Sequence, residues 1–226
     1  MYVLIGGAGL VGLNLAQKLV ELGHTVAVID NDPTACRYAR EQVGAMAFEG
    51  SAVSTETLLE AGIRKADALA AVLRSDALNL AMVTLAKHYG VPLILSRMRH
   101  SDFTEPLRIA GANHIISTIE LAVSTMVNAI EYPQVESMMH FEQGQIEVLK
   151  MLIPNNCYVV GRSVAEIAQN PNFPQGSLII GYQSHPHTDL IIPNGSTVVD
   201  PNSTVLIVTK PGVLHQVIDF IEGCRE

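Results

Sequence analysis

Apolar residues follow two alternating patterns through the first part of the chain. The run Tyr2–Ile5 is apolar throughout, which is typical of a strand buried on both faces of a sheet. In the next stretch Val11, Leu15 and Leu19 recur at helical spacing, so a helix is predicted there. A second apolar run, 25–29, predicts another strand. The chain therefore begins with a strand, a helix and a second strand.

The same alternation continues as far as residue 130. Further strands are predicted at 45–48, 68–72, 92–96 and 114–116, and further helices at 33–42, 55–62, from Asp76 onward, 103–110 and 119–130. Because strand and helix alternate six times with short connections, we predict an α/β fold, a Rossmann-like doubly wound parallel sheet with helices on both faces. Ligands of such sheets bind at the carboxyl ends of the strands, where the strand order reverses.

The pattern changes after residue 131, where Glu131-Tyr132-Pro133 ends the last helical stretch. We predict a linker at 133–143 and then, from Gly144, a small α+β domain with Asn-Gly and Asp-Pro turns. Its predicted elements are strands at 145–153, 177–182 and 204–209, a hairpin-like segment at 191–195, and helices at 163–169 and 212–222. The predicted domains are thus 1–132 and 144–226. A domain as small as the second buries a low fraction of its surface, so we expect it to pair with a second copy of itself.

The turn between the first strand and the first helix carries the glycine pattern G-x-G-x-x-G. In that pattern Gly7 permits the tight turn, Gly9 lets the backbone approach a pyrophosphate, and Gly12 lets the helix pack close to the strand. The free N–H groups of the helix then face the phosphates. Asp30 ends the second strand, where a carboxylate accepts ribose hydroxyls and repels a 2′-phosphate. The spacing predicts a mononucleotide or dinucleotide site that prefers NAD to NADP.

Composition and charge narrow the classes of partner. The chain has 226 residues, of which 48% are hydrophobic and 16% charged, and its net charge is −8. Without a basic cluster to neutralise phosphates, nucleic acid is excluded as a partner. The sequence contains no run of about eighteen apolar residues and no signal peptide, so we expect no membrane span and a cytoplasmic location. The three scattered cysteines, Cys36, Cys157 and Cys224, are typical of free thiols in a reducing compartment.

Motifs for catalysis are absent from the sequence. It has no Tyr-x-x-x-Lys pair, no Walker lysine motif and no G-x-S-x-G. His185-Pro-His187-x-Asp189 has spacing for a metal, but its proline favours an exposed loop. Arg97 and Arg99 alternate after the fifth predicted strand, so we expect them on opposite faces, with one of them near bound phosphates. We therefore expect that the protein is not an enzyme. Two alternatives stay open: an NAD-dependent oxidoreductase and a soluble nucleotide sensor for another partner.

An ordered set of motifs resembles the RCK (regulator of K⁺ conductance) family, in particular its TrkA/KtrA-type potassium uptake regulatory subunits. The motifs of the nucleotide-binding half (TrkA-N) are Ile5–Gly12, Val28–Asp30, Gly50-Ser51, Ser75-Asp76-x-x-Asn79, Ser96–Arg99 and Gly111–Asn113. The segment 191–208 resembles the C-terminal half of the family, TrkA-C. The resemblance covers nearly the whole chain and implies one half of each kind.

The resemblance also implies roles for residues around the cleft. Phosphates would be wrapped by residues 7–11, the adenosine ribose held by Asp30, and the adenine flanked by residues 50–52. Arg97 would contact phosphate, and Glu120 would help to hold Mg²⁺ or Ca²⁺ beside a triphosphate. The implied cofactor-binding set is Gly7, Ala8, Gly9, Leu10, Val11, Gly12, Asp30, Asn31, Gly50, Ser51, Ala52, Leu73, Arg74, Asn79 and Arg97, with Glu120 as metal ligand and no catalytic residue.

Departures from the family pattern leave the nucleotide open. Leu10 stands where KtrA-like chains often carry an arginine for the terminal phosphates, and Ser51 and Asn113 replace other common residues. NAD(H) and ATP/ADP are therefore both expected ligands, and some relatives bind cyclic di-AMP in the C-terminal half. The family implies a cytoplasmic gating subunit that forms homodimers and then an octameric ring. The ring would dock on a membrane potassium channel or transporter subunit of the TrkH/KtrB type, and nucleotide would change its shape.

Overall fold

The computed structural model describes residues 1–141, 145–210 and 212–223, so Gly144 and Cys224 lie outside the described residues. The chain divides into two compact units, Met1–Leu121 and Ala122–Glu226. No helix among the described residues is both long enough and apolar enough to cross a membrane.

Within the described part of the first unit, six strands form one parallel sheet. They are β1 (Tyr2–Gly6), β2 (Thr25–Asp30), β3 (Met46–Glu49), β4 (Ala68–Ala71), β5 (Leu93–Met98) and β6 (His114–Ser117). Their order across the sheet is β3-β2-β1-β4-β5-β6, which confirms the predicted doubly wound, Rossmann-like fold. The order reverses beside β1, so the glycine turn that follows β1 lies at the switch point, where ligands of such sheets bind.

The helices of this unit follow the strands in turn. They are α1 (Leu10–Glu21), α2 (Pro33–Tyr38), α3 (Thr55–Glu60), α4 (Asp76–His88) and α5 (Thr104–Ala110), and α6 (Thr118–Glu131) continues into the second unit. A π-helical turn, Ala39–Val43, extends α2. Asp32 caps α2 by accepting a hydrogen bond from the Thr34 N–H, because the first N–H groups of a helix have no partner inside it.

Both faces of the sheet are buried at β1, as its apolar run predicted. Val3 and Ile5 of β1 pack on one side with Ala16 of α1. Leu4, which points to the opposite face, packs on the other side with Met82 of α4. Alternate residues of one strand therefore anchor helices on opposite faces, and the glycine turn is fixed between them.

The second unit contains an antiparallel sheet with helices. Its elements are β7 (Val135–Phe141), β8 (Ile146–Leu152), α7 (Val164–Ala168), β9 (Leu178–Gln183), β10 (Thr204–Thr209) and α8 (Leu214–Glu222), with strand order β7-β8-β10-β9. Strand β7 occupies most of the segment 133–143, for which the sequence analysis predicted a linker. The pairing of β7 with β8 shifts between Val135 and Ser137. Such an irregularity disrupts the alternation of apolar and polar residues by which strands are recognised in a sequence.

Candidate functional site

A cavity of about 690 Å³ opens at the carboxyl end of β1, between the ends of β2, β4 and β5. Its lining comes from the glycine turn, the start of α1 and the segments that follow the neighbouring strands. The lining residues are Gly7, Ala8, Gly9, Leu10, Val11, Asp30, Asp32, Ala35, Val72, Leu73, Arg74, Ser75, Leu78, Arg97 and Arg99. The cavity lies at the predicted place in the fold.

The three glycines of the turn have different structural roles. Gly7 has a φ of +109°, a conformation that side-chain-bearing residues rarely adopt. A Cβ on Gly12 would lie 1.8 Å from the Gly7 carbonyl oxygen, so only glycine permits this close packing. A Cβ on Gly9 would meet nothing within 4 Å. Gly9 also caps α1 without a side chain, so the helix N-terminus is left open to an anion.

Asp30 joins the end of β2 to the glycine turn. Its Oδ2 accepts a 2.6 Å hydrogen bond from the Ala8 N–H, and its Oδ1 accepts one of 2.9 Å from the Asp32 N–H. An ionised carboxylate has about four acceptor sites, so it can also accept ribose hydroxyls. The carboxylate therefore shapes the turn as well as lining the cavity, a second role that the glycine motif does not reveal.

Three arginines line the cavity on the side of β4 and β5. Arg74 follows β4, and Arg97 and Arg99 lie at the end of β5. The prediction that Arg97 and Arg99 face opposite ways is wrong, because the faces of a strand alternate from one residue to the next and residues two apart therefore lie on the same side. Both side chains contribute to the same cavity.

The charges of the cavity are divided between its two sides. Asp30 and Asp32 lie at the end of β2, on one side of β1, and the arginines lie on the other side. Arg97 Nε donates to Thr118 Oγ1 at 3.2 Å, which orients its guanidinium. A ligand with hydroxyl groups at one end and anionic groups at the other matches this arrangement.

The first turn of α4 holds the ends of β4 and β5. Asn79, fully buried, accepts from the Leu73 N–H at 2.9 Å and donates to the Leu73 and Arg97 carbonyls. Asp76, also buried, accepts from the backbone N–H groups of Arg99 and His100, each at 3.0 Å. Asn79 therefore holds the backbone of Leu73, which lines the cavity. Asp76 was not among the predicted site residues, although it stands in the motif Ser75-Asp76-x-x-Asn79 by which the nucleotide-binding half was recognised.

The structure brings together part of the implied cofactor-binding set. The members that line the cavity are Gly7, Ala8, Gly9, Leu10, Val11, Asp30, Leu73, Arg74 and Arg97. The members outside the lining are Gly12, Asn31, Gly50, Ser51, Ala52 and Asn79. Gly50 donates its N–H to the Asp30 carbonyl at 2.9 Å, so it supports the end of β2. The contacts of residues 50–52 with an adenine stay a prediction.

Glu120 lies in a different cavity, of about 540 Å³, together with Arg108, Asn113 and Ser117. In the described ranges, no group of three or more His, Cys, Asp or Glu side chains is arranged to hold a metal ion. That finding includes His185 and His187, whose loop is exposed. The role of Glu120 as a metal ligand stays a prediction.

Comparison with known protein families identifies both halves of the chain. The model of the TrkA-N domain matches residues 3–118, and the model of the TrkA-C domain matches residues 148–222. The chain belongs to the TrkA family. This confirms the predicted TrkA/KtrA type and its one-plus-one arrangement of halves.

The TrkA-family relatives match the chain from end to end. The Trk system potassium uptake protein TrkA homolog of Methanothermobacter thermautotrophicus is 31% identical over 96% of this chain and 97% of its own length. The TrkA homolog of Pyrococcus abyssi is 30% identical over 100% of both chains. The match therefore includes the cavity residues and the second unit alike.

Solved structures with this fold include the GsuK channel, with a TM-score of 0.71 and 19% identity over 100% of this chain and 40% of that one. The GsuK channel bound to NAD gives a TM-score of 0.67 at 20% identity, with the same coverage. GsuK bound to ADP gives 0.52 at 21% identity over 58% of this chain and 34% of that one. At these identities the likeness shows the fold alone, and this chain spans less than half of the GsuK chain.

Proposed function

We propose that this TrkA-family chain is a regulatory subunit of a membrane potassium transport system and that an adenine nucleotide in the cavity beside β1 controls it. The assignment to potassium transport is supported by the end-to-end similarity to relatives named as Trk system potassium uptake proteins. The observation that carries the nucleotide assignment is the cavity itself, with an open helix N-terminus between two acids and three arginines.

The residues of the cavity fit an adenine nucleotide in one orientation. Asp30 would accept the ribose hydroxyls, and the N–H groups at the start of α1 would bind the first phosphates at Gly9. Phosphates farther along the ligand would then meet Arg97 and Arg99. NAD(H), ADP and ATP share these groups, and GsuK, which has this fold, has been solved bound to NAD and bound to ADP.

The balance between NAD(H) and ATP depends on cations near the terminal phosphates. Leu10 is 85% exposed at the start of α1 and supplies no charge there. The structure adds Arg99 and Arg74 to Arg97 on the far side of the cavity, more positive charge than the glycine turn alone provides. We propose that these arginines partly replace the missing arginine at position 10, so that ATP binding needs a divalent ion less than the sequence suggested.

Regulation requires a second conformation and a ligand that distinguishes the two. A nucleotide shifts such an equilibrium only by its difference in affinity for the two forms. Helix α6 exposes Val123, Met126 and Ile130, and none of its described side chains is buried. An apolar helix face of this kind suits contact with a second copy, from which we propose a dimer and then a ring of eight. Cyclic di-AMP binding by the C-terminal half stays a prediction.

Co-purification followed by a flux measurement tests the proposal. The tagged chain is expressed with the membrane potassium subunit of the same genome, and the complex is reconstituted into liposomes loaded with potassium. We expect co-purification, and a potassium flux that changes with NADH, ADP or ATP in the wild-type complex but not with Asp30→Ala. A chain that never binds the membrane subunit contradicts the transport assignment. A complex whose flux ignores all three nucleotides contradicts the nucleotide assignment.

A further inference from the structure

Two buried polar side chains of α4, Asp76 and Asn79, reach across the carboxyl ends of neighbouring strands. Asn79 binds backbone groups of Leu73 after β4 and of Arg97 in β5. Among the described residues, Asp76 binds the segment that follows β5: the N–H groups of Arg99 and His100, and the His100 Nδ1, which lies 2.9 Å from Asp76 Oδ2. The pair therefore fixes the path of the chain where the arginines enter the cavity.

Helix capping does not account for the position of Asp76. Ser75 is the N-cap of α4 and its hydroxyl already accepts from the Leu78 N–H. The hydrogen bonds of the Asp76 carboxylate go instead to residues 99 and 100, more than twenty positions along the chain. A carboxylate that is only 5% exposed is stable when its oxygens are hydrogen-bonded, and both Asp76 oxygens are.

The consequence of this contact is the direction taken by Arg99. Strand alternation starts residues two apart, such as Arg97 and Arg99, from the same face. Because β5 ends at Met98, contacts other than the strand ladder must hold residue 99 where it lines the same cavity as Arg97, with its Nη1 3.4 Å from the Arg74 carbonyl oxygen. Asp76 holds the backbone N–H groups in the turn after β5.

We propose that Asp76 is a positioning residue of the nucleotide site: by holding the turn after β5, its carboxylate places the Arg99 guanidinium where it meets the outer phosphates of an adenine nucleotide. The inference rests on the proposed function, since it concerns the same site. The inference adds to that site a residue that acts without contacting the nucleotide. It also states that the site distinguishes nucleotides by their number of phosphates. AMP places its one phosphate at the glycine turn, whereas ATP extends two more toward the arginines.

Calorimetric titrations of AMP and ATP in EDTA test this proposal. The variants are Arg99→Ala, Asp76→Asn and the double variant, with Asp67→Asn as control. Asp67 also accepts a backbone N–H, from Tyr2 at 2.6 Å, but at the amino ends of the strands. We expect Arg99→Ala and Asp76→Asn each to lower the ratio of ATP to AMP affinity by about tenfold, the factor for one charge-assisted hydrogen bond. The double variant should lose no more than Arg99→Ala alone, and Asp67→Asn should keep the wild-type ratio.

The outcomes separate this inference from the proposed function. A wild-type chain that binds neither nucleotide overturns the proposed function. If the wild type binds both nucleotides, any of three results overturns the inference alone. The ratio of ATP to AMP affinity is unchanged in Asp76→Asn, Asp76→Asn loses AMP and ATP affinity equally, or the losses of the two single variants add in the double variant. If Asp76→Asn does not fold, amide hydrogen exchange in the wild type decides: slow exchange at Arg99 and His100 supports the proposal, and fast exchange at both overturns it.

Discussion

The carboxylate of Asp30 accepts a 2.6 Å hydrogen bond from the backbone N–H of Ala8, so the acid that ends β2 is bound directly to the turn that follows β1. We predict that Asp30→Ala weakens the binding of adenine nucleotides by about 1.5–3 kcal/mol, the range for hydrogen bonds to a charged group. Calorimetry on the folded variant measures this, with Asp67→Ala as control. Unchanged affinity in a folded Asp30→Ala would rule out its contact with the ribose.

Substitution by alanine should have different effects at Gly9 and at Gly12. A Cβ on Gly12 would collide with the Gly7 carbonyl oxygen, so Gly12→Ala should lower the free energy of unfolding by about 2–3 kcal/mol. A Cβ on Gly9 meets nothing within 4 Å, so Gly9→Ala should keep the wild-type stability but lose nucleotide affinity, because the methyl group occupies the approach of the phosphates. Urea unfolding and calorimetry measure the two effects. Full nucleotide affinity in Gly9→Ala would place the phosphates elsewhere.

The three nucleotides should differ in their response to metal. We predict that NADH binds at least as tightly as ATP in EDTA, that ATP gains affinity when Mg²⁺ or Ca²⁺ is added, and that NADPH binds worst because Asp30 repels its 2′-phosphate. Competition titrations with and without the metal measure this order. Glu120→Gln should abolish the gain from metal if Glu120 is a ligand. Tight ATP binding that ignores both the metal and Glu120→Gln, with no NADH binding, contradicts this prediction.

Helix α6 should hold the chain in an oligomer. Met126 is 65% exposed and Ile130 is 75% exposed, so a charge at either position would be costly in an apolar interface. We predict that the wild type sediments as a dimer or larger and that the double variant Met126→Glu/Ile130→Glu shifts toward the monomer. Leu22→Glu, at an exposed apolar position outside α6, should sediment as the wild type does. A wild-type chain that is monomeric at micromolar concentration counts against a gating ring.

The charge of Asp76 should make its contribution to stability depend on pH. Burial raises the pKa of this carboxyl, but the hydrogen bonds from His100 and Arg99 outweigh burial, and the pKa lies below its usual value. A carboxyl with a lower pKa in the folded chain stabilises the fold above its unfolded pKa, about 3.9, and this stabilisation is lost as the pH falls through the folded pKa. The difference in unfolding free energy between the wild type and Asp76→Asn should therefore shrink below about pH 4. Urea unfolding across that range measures it, and a constant difference contradicts it.

Local sequence was sufficient to predict the glycine turn and the sheet around it. The turn at Gly7 depends on neighbours a few residues away, and Asp30 was predicted from its place at the end of the second strand; the structure has both beside the cavity. The contact that holds the Arg99 backbone could not be predicted in this way. It depends on Asp76, whose side chain reaches Arg99 from another element.

In the second unit, too, local sequence predicts some strands and misses others. Strand β10 was predicted with its observed bounds, Thr204–Thr209, because its apolar residues are continuous and its turns are clear in the sequence. Strand β7 was missed, since it follows Pro133 and its pairing with β8 is irregular near its start. What the sequence leaves out is long-range pairing, which only the folded chain specifies.

The hydrogen bonds of the glycine turn also bear on how fast the chain can respond. Gly7 donates to the Ile29 carbonyl at 2.8 Å and Ala8 donates to Asp30, so the protein's own groups give the turn its shape. A nucleotide then has no loop to order, and its association need not wait for a slow rearrangement of the turn. Less of its binding free energy goes into ordering the site. The remainder is available to change the conformation of the protein around it.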